Sequence, residues 1–182
     1  VHDGYAESDG KYLSLAPKIF ELGYASLASM TFLDEVQPVL AELAKNLRES
    51  CFAAVLEGHD VVYVANATPP DRIVNISVCV GSRVPAHSVS TGRVLVAALP
   101  AAKRKAWIES AELSKLTPKT VTSGEELERL VDEVDEQGFS IVDQELEVGL
   151  RSISVPIRDS DGKLIAALNV ACPSSRISPE DM

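Results

Sequence analysis

The chain has 182 residues, of which 46% are hydrophobic, and it carries a formal net charge of −10. This length and apolar content suffice for one sizeable hydrophobic core with short appendages. The negative charge argues against nucleic-acid binding by these residues, because phosphate binding relies on a surplus of lysine and arginine.

Membrane, secretion and metal-site signals are also missing. No apolar run approaches the roughly 20 residues that span a bilayer, and charged residues interrupt the opening segment where a signal peptide would be apolar. Cys51, Cys79 and Cys172 are widely spaced beside apolar residues, so we predict reduced core cysteines in a cytoplasmic protein. With three histidines and no ligand spacing typical of zinc, we expect no metal and no cofactor. The first residue is not methionine, and we expect a piece of a longer protein.

The opening part of the chain predicts a hairpin and two helices. Glu7–Gly10, which contains Asp-Gly, predicts a turn between two short strands. After Pro17, apolar residues recur at helical spacing. Thr31 can cap a further helix, and Pro38 inside that helix predicts a kink or a later start.

Two groups of strands are predicted, each rich in hairpins. In the first group, the strands Cys51–Leu56 and Val61–Ala67 form a hairpin. Arg72–Val80 is predicted as a third strand, with Val74, Ile76, Val78 and Val80 facing the core. The strands of the second group are Phe139–Val142, Ser152–Ile157 and Lys163–Ala171.

Helices are predicted between the two groups of strands. Ser88 or Ser90 can cap a short helix, and Pro100 opens a second one. A capping box at Ser123 begins a third helix, which Gly138 ends. Because hairpins dominate, the predicted fold class is α+β, with a mostly antiparallel sheet flanked by helices.

No enzyme motif stands out in the sequence. Cys51 and His59 could be paired, but the first hairpin would place His59 in an exposed turn. His87, Ser90 and Asp143 could be assembled into a triad, but such residues occur in most chains of this size. We therefore predict no catalytic residue.

The segment Ser88–Gly92 is the most suggestive candidate for ligand binding. It combines hydroxyls, a glycine and free amides where a helix begins, and such helix starts favour a carboxylate or a phosphate. Ordinary N-capping is the alternative explanation. Glu145 and Glu147, which could be imagined as paired carboxylates, are instead interpreted as a solvated turn before Gly149.

Several stretches resemble the effector domain of the IclR family of transcription regulators, in the order that the family has. They are Gly81–His87, Gly92–Pro100, Leu116–Thr120, Gly138–Pro156 and Asp161–Val170. The resemblance implies a GAF-like (profilin-like) effector-binding domain with a curved sheet over residues 30–182. It also implies that residues 1–15 are the remnant of the wing of a winged helix-turn-helix and that residues 16–29 form a linker helix.

The resemblance further implies an effector pocket with apolar walls and a polar helix start. In members that recognise very small oxoacids, the position of Val142 is commonly acidic or polar and that of Asn169 is commonly serine. Val142 makes the pocket less polar and removes a charge that would repel an acid. The implied pocket residues are Ile76, Val84, Ser90, Thr91, Gly92, Val142, Ser152, Asn169 and Ala171.

The function that follows is sensing of a small organic acid by a DNA-binding regulator of a catabolic operon. The runs Val142–Glu147 and Leu168–Val170 resemble the branch that controls aromatic-acid breakdown, including protocatechuate, β-ketoadipate and p-hydroxybenzoate responses. Operator DNA would be bound by an N-terminal domain absent from this chain, and the family forms homodimers or tetramers without a membrane partner. Two alternatives stay open: a stand-alone GAF-type module, and a small hydrolase that uses His87 or Cys51.

Overall fold

The computed structural model describes residues 3–72 and 76–182. The chain divides into two compact units, Val1–Glu35 and Val36–Met182. The first unit contains the predicted hairpin, with antiparallel strands β1 (Ala6–Ser8) and β2 (Leu13–Leu15), followed by helix α1 (Ile19–Ala28). The assignment of these elements to a wing remnant and a linker helix stays a prediction.

Helix α2 (Leu33–Leu47) contains Pro38, so the later start that the sequence allowed as an alternative to a kink is not found. Its buried positions, Val36, Leu40 and Ala44, recur at helical spacing. The remaining elements of the second unit follow in chain order: β3 (Ser50–Glu57), β4 (Asp60–Ala67), β5 (Arg83–Pro85), a 3-10 turn (Ala86–Ser88), α3 (Ser90–Ala97), α4 (Ala101–Ser110), α5 (Gly124–Gln137), β6 (Ser140–Asp143), β7 (Leu150–Arg158), β8 (Leu164–Pro173) and a second 3-10 turn (Pro179–Asp181).

Six strands of the second unit form one sheet in the order β5-β4-β3-β8-β7-β6. The neighbouring strands that the structure describes pair antiparallel throughout. Helix α3 lies across five of these strands, β3, β4, β6, β7 and β8, and packs against α4 and α5. This arrangement confirms the predicted α+β class with an antiparallel sheet flanked by helices.

The third strand lies elsewhere than predicted. Ile76–Val80 forms no strand, and Ile73–Asn75 lies outside the described residues. The strand that pairs with β4 is β5, after Gly81 turns with a φ of 89° and donates its N–H to the Tyr63 carbonyl at 2.8 Å. Ile76 and Val78 nevertheless pack half-buried against the core, whereas Val80 is exposed.

The core lies between the sheet and the helices on one of its faces. Its largest apolar cluster includes Phe52 and Val61 of the sheet, Val94 of α3, Ile108 of α4 and Val131 of α5. No helix in the described ranges is long and apolar enough to cross a membrane.

Candidate functional site

Helix α3 begins without a side-chain cap, and we call this uncapped N-terminus the open start of α3. Val89 occupies the N-cap position, and its apolar side chain cannot accept a hydrogen bond. The two predicted caps are wrong, because Ser88 donates its hydroxyl to the Pro85 carbonyl at 2.9 Å and Ser90 lies inside the helix. Since the first N–H groups of a helix have no intrahelical acceptor, those of Ser90, Thr91 and Gly92 are donors for an anion.

One row of side chains across the sheet contains three of the predicted pocket residues. The strand register pairs Val142 with Ser152 and Ser152 with Ala171. Ala171 in turn pairs with Ser50 of β3. Directly paired residues of antiparallel strands point to the same face, so Ser50 extends this row although the sequence analysis did not select it.

A second row lies beside the first on the same face. Here Ser140 pairs with Ser154, Ser154 with Asn169, and Asn169 with Phe52. Each member lies two positions along its strand from a member of the first row, which preserves the face because side chains alternate. The two rows bring together Val142, Ser152, Asn169 and Ala171 of the predicted pocket.

Ser90, Ser152, Ser154 and Asn169 form a buried hydrogen-bonded group, which we call the hydroxyl cluster. Ser90 Oγ lies 2.8 Å from both Ser152 Oγ and Ser154 Oγ. Asn169 Nδ2 donates to Ser90 Oγ at 3.1 Å and to Ser154 Oγ at 2.9 Å. A serine hydroxyl offers one donor and two acceptor sites. With these three partners, Ser90 Oγ has no capacity left for a ligand unless the cluster rearranges.

Two other buried hydroxyls make no hydrogen bond of ordinary geometry within the described residues: Ser50 Oγ, in a residue 1% exposed, and Thr91 Oγ1, in a residue 0% exposed. Tyr63 is close enough to Thr91 for the hydroxyls to influence each other, since burial raises the pKa of Tyr63 and Thr91 partly offsets the rise. A buried polar group normally finds a partner, in the protein, a ligand or water. Thr91 is therefore a better candidate than Ser90 for hydrogen bonding to a ligand.

The remaining predicted pocket residues contribute to packing. Ile76 and Val84 are half-buried and pack against the core cluster, as apolar walls would. Gly92 is required by packing, because a Cβ there would lie 1.9 Å from the Ala86 carbonyl oxygen. That distance is far inside van der Waals contact, so no larger residue fits without a shift of the backbone.

A second group joins Arg93 of α3 to residues of two loops, and we call it the charged anchor. It contains Arg93, Glu145, Thr117 and Thr120. Arg93 Nη2 donates to both carboxylate oxygens of Glu145 at 2.7 Å, with side chains 3% and 9% exposed. Thr117 and Thr120 each donate a hydroxyl at 2.6 Å to the backbone carbonyls of Gln144 and Glu145 respectively. The prediction of a solvated turn is therefore wrong for Glu145. An arginine among the apolar residues of α3 was the sequence signal that could have indicated a buried partner.

The catalytic triad considered from the sequence is not assembled. His87 Nε2 contacts the Ser114 carbonyl oxygen at 3.1 Å, and Ser90 belongs to the hydroxyl cluster. Asp143 is paired with Lys119 and Arg151. Burial opposes ionisation of Asp143, but hydrogen bonds from these two cations outweigh it and hold its pKa below the ordinary value.

The cysteines likewise provide no reactive pair. Cys51 is buried in β3, where burial raises its pKa to about 11, and His59 lies in the exposed turn with Nε2 3.3 Å from Ser110 Oγ. Cys172 is buried as predicted, whereas Cys79 is exposed, so the prediction of a core position was wrong for Cys79. In the part of the chain that the structure describes, no group of three or more acidic, histidine or cysteine residues could hold a metal.

Comparison with known proteins gives a consistent result. The sequence-family model described as "Bacterial transcriptional regulator IclR C-terminal" matches residues 24–182. The Pca regulon regulatory protein of Pseudomonas putida is 39% identical over 98% of this chain, which spans 62% of that protein. The p-hydroxybenzoate hydroxylase transcriptional activator of Acinetobacter baylyi is 31% identical over 97% of the chain, which spans 67% of that protein.

A solved structure adds a ligand to the comparison. It is the inducer-binding domain of a double mutant of the PobR transcription factor from Acinetobacter, in complex with 3-hydroxybenzoic acid. Its TM-score is 0.75 at 32% sequence identity, covering 81% of this chain and 86% of that one. The chain thus spans less than two thirds of the Pca regulon regulatory protein but most of an isolated inducer-binding domain.

Proposed function

The chain belongs to the family of C-terminal, effector-binding domains of bacterial IclR transcriptional regulators, and we propose that its effector is an aromatic organic acid. The whole protein would be a cytoplasmic regulator of a catabolic operon. Operator DNA would be bound by an N-terminal domain outside this chain. These residues carry a net charge of −10, which does not favour DNA binding by the effector domain itself.

The observation that supports the proposal best is the open start of α3, whose first residue, Ser90, belongs to the hydroxyl cluster. Its unpaired N–H groups and its dipole favour a carboxylate. The Thr91 hydroxyl, buried and without a hydrogen bond of ordinary geometry, supplies one more donor at the same place. The acid would therefore seat its carboxylate on the first turn of α3.

The charges around the site indicate a neutral pocket, in which a bound carboxylate would be stabilised by dipoles and not by a cation. Arg93, the charged residue nearest the helix start in sequence, is already neutralised by Glu145. Val142 places an apolar side chain in the first row, so no carboxylate there repels an incoming acid. A carboxylate would thus be stabilised by hydrogen bonds and the helix dipole alone.

The aromatic class is supported by the apolar surfaces and by the relatives. Phe52 on β3 belongs to the buried core cluster, and Ile76 and Val84 pack half-buried against that cluster. These apolar side chains would contact the body of the ring. The names of the relatives refer to the pca regulon and to p-hydroxybenzoate hydroxylase, and the solved inducer-binding domain holds 3-hydroxybenzoic acid. An aromatic acid is consequently the ligand class to test first.

Calorimetric titration of the 182-residue chain with 3-hydroxybenzoate, 4-hydroxybenzoate and protocatechuate tests the proposal. We expect saturable binding of at least one acid in the wild type. Binding should be lost in Ser152→Trp, because the indole would occupy the space over the first row of side chains. Ser90→Glu should also abolish binding, because it adds a negative charge at the helix start.

Val155→Trp is the matched control for the added indole. Val155 is exposed and lies on the opposite face of β7 from Ser152, so this variant should bind as the wild type does. Undiminished binding in both Ser152→Trp and Ser90→Glu would place the acid elsewhere and refute the assignment.

Binding would regulate DNA affinity only if the acid has unequal affinity for two arrangements of the protein. We propose that these arrangements belong to a homodimer or tetramer that includes α1. On this helix, Phe20 and Tyr24 are each 77% exposed, and a second copy of the chain would cover them. Sedimentation equilibrium should show a dimer or larger that Phe20→Ser with Tyr24→Ser weakens, and a monomer in the wild type would contradict this.

A further inference from the structure

Ser50 is a buried polar residue that the proposed carboxylate site does not use. Its hydroxyl has no hydrogen-bond partner among the described residues, although the residue is only 1% exposed. It occupies the first position of β3, where the register pairs it with Ala171 and, through Ala171, places it in the row that contains Ser152. The unpaired hydroxyl therefore shares a face of the sheet with the candidate site.

The spacing of the strands gives the approximate separation between Ser50 and Ser152, the residue that contacts the start of α3. Ser152 contacts Ser90 of α3 at 2.8 Å, and β8 separates Ser152 from Ser50. Two steps between neighbouring strands amount to roughly 10 Å. A benzene ring that carries a carboxylate and a hydroxyl, with one hydrogen bond at each end, also spans on the order of 10 Å.

The surroundings of Ser50 suit a ring hydroxyl better than a second charge. Phe52, two residues along the same face of β3, packs edge to face on Tyr63 with ring centroids 5.4 Å apart. Ala171 lies between Ser50 and Ser152 and presents only a methyl group. An uncharged ring would lie over these apolar groups, whereas a second carboxylate beside Ser50 would have a single neutral donor to compensate its desolvation.

We propose that Ser50 determines effector specificity by hydrogen-bonding a ring hydroxyl of the aromatic acid, at the end of the ligand opposite its carboxylate. This assignment rests on the proposed function, because it needs the carboxylate to occupy the start of α3. It gives a role to a buried hydroxyl that has no hydrogen-bond partner among the described residues. The site would thus distinguish a hydroxylated ring from an unsubstituted one.

Titration of wild type and Ser50→Ala with benzoate, 3-hydroxybenzoate and 4-hydroxybenzoate tests the inference. In the wild type we expect at least one hydroxybenzoate to bind about three- to tenfold more tightly than benzoate, the gain of one neutral hydrogen bond. In Ser50→Ala that preference should disappear while the Kd of benzoate stays the same. The unliganded variant should be as stable as the wild type, because no hydrogen bond is lost.

Ser88→Ala is the matched control. Ser88 is also buried, but its hydroxyl donates to the Pro85 carbonyl at 2.9 Å, so this variant should lose stability and keep the preference for the hydroxylated acid. A wild type that binds benzoate and both hydroxybenzoates equally, or a Ser50→Ala variant that keeps its preference, overturns the role of Ser50 and leaves the carboxylate site standing. A wild type that binds none of these three acids, and does not bind protocatechuate either, overturns both.

Discussion

Helices α3 and α5 belong to the same domain but begin in opposite ways. At α5, the Ser123 hydroxyl accepts the Glu126 N–H at 3.4 Å, and Glu125 and Glu126 place negative charge in the first turn. At α3, Val89 provides no cap, no acid lies in the first turn, and the whole helix is buried. The chain caps the N-terminus of α5 itself, whereas no described side chain caps that of α3, where we propose that the acid binds.

An uncapped helix start lowers stability by about 1 kcal/mol relative to a capped one, so α3 must be held in place by other contacts. The charged anchor supplies them one turn further along, where Arg93 is bonded to both oxygens of Glu145. The anchor has fixed charges with fixed partners, while the hydroxyl cluster consists of neutral groups that can reverse donor and acceptor by rotation. One helix therefore combines a rigid attachment with an adaptable end.

Among the variants that test this difference between α3 and α5, loss of the charged anchor should change the free energy of unfolding most. Arg93→Met leaves the Glu145 carboxylate buried without its cation, and we expect the free energy of unfolding to fall by about 3–5 kcal/mol. Urea denaturation followed by circular dichroism measures this loss. If the loss were smaller than that caused by removing the cap of α5, α3 would not depend on the anchor.

The double variant Arg93→Met with Glu145→Leu separates the charge from the packing. Because it leaves no buried charge unpaired, it should be more stable than Arg93→Met alone. Equal instability of the single and double variants would instead assign the effect to lost packing around the arginine stem.

A side-chain cap on α3 should make its N-terminus resemble that of α5 and weaken acid binding. In Val89→Thr, a side chain of nearly the same shape gains a hydroxyl that can accept the N–H of Thr91 or Gly92. These donors would then be engaged, and we expect acid binding to weaken about three- to tenfold. Calorimetric titration measures the change, and an unchanged Kd would show that the carboxylate does not use these amides.

Removing the cap of α5 is the reciprocal change and should have the smallest effect on the site. Ser123→Ala should lower the free energy of unfolding by about 1 kcal/mol, the usual value of an N-cap. The Kd of the acid should not change, since α5 contributes none of the pocket residues. A loss of binding without a loss of stability would contradict the division of roles between the two helices.

The sequence predicted the secondary structure correctly where local signals are strong. It was wrong for the third strand, whose position depends on pairing between distant segments. The cap at Ser123 and the left-handed Gly138, with a φ of 81°, were both identified from sequence. Arg72–Val80 has the alternation and β-branched residues of a strand, but those properties do not specify which segment reaches the exposed edge of β4. The backbone hydrogen bond from Gly81 to Tyr63 gives that edge to β5.

The candidate site was predictable only for those residues that the family resemblance identified. Ser154 could have been added from its two-residue spacing to Ser152 on one strand. Ser50 could not, because its place beside Ala171 depends on the pairing of β3 with β8, strands far apart in the chain. Arg93 among apolar residues could have indicated a buried acidic partner, but no local pattern identifies that partner as Glu145, which is 52 residues further along the chain.

The close contact at Gly92 couples the position of α3 to that of the 3-10 turn before it. Because Gly92 lies directly against the Ala86 backbone, α3 cannot approach the 3-10 turn any further, and a displacement in that direction pushes the turn with it. The turn continues β5, whose Val84 pairs with Val61 of β4. We therefore expect a ligand that moves α3 to act on the edge strand β5 as well. Its binding should alter the exchange rates of the amide hydrogens that join β4 to β5.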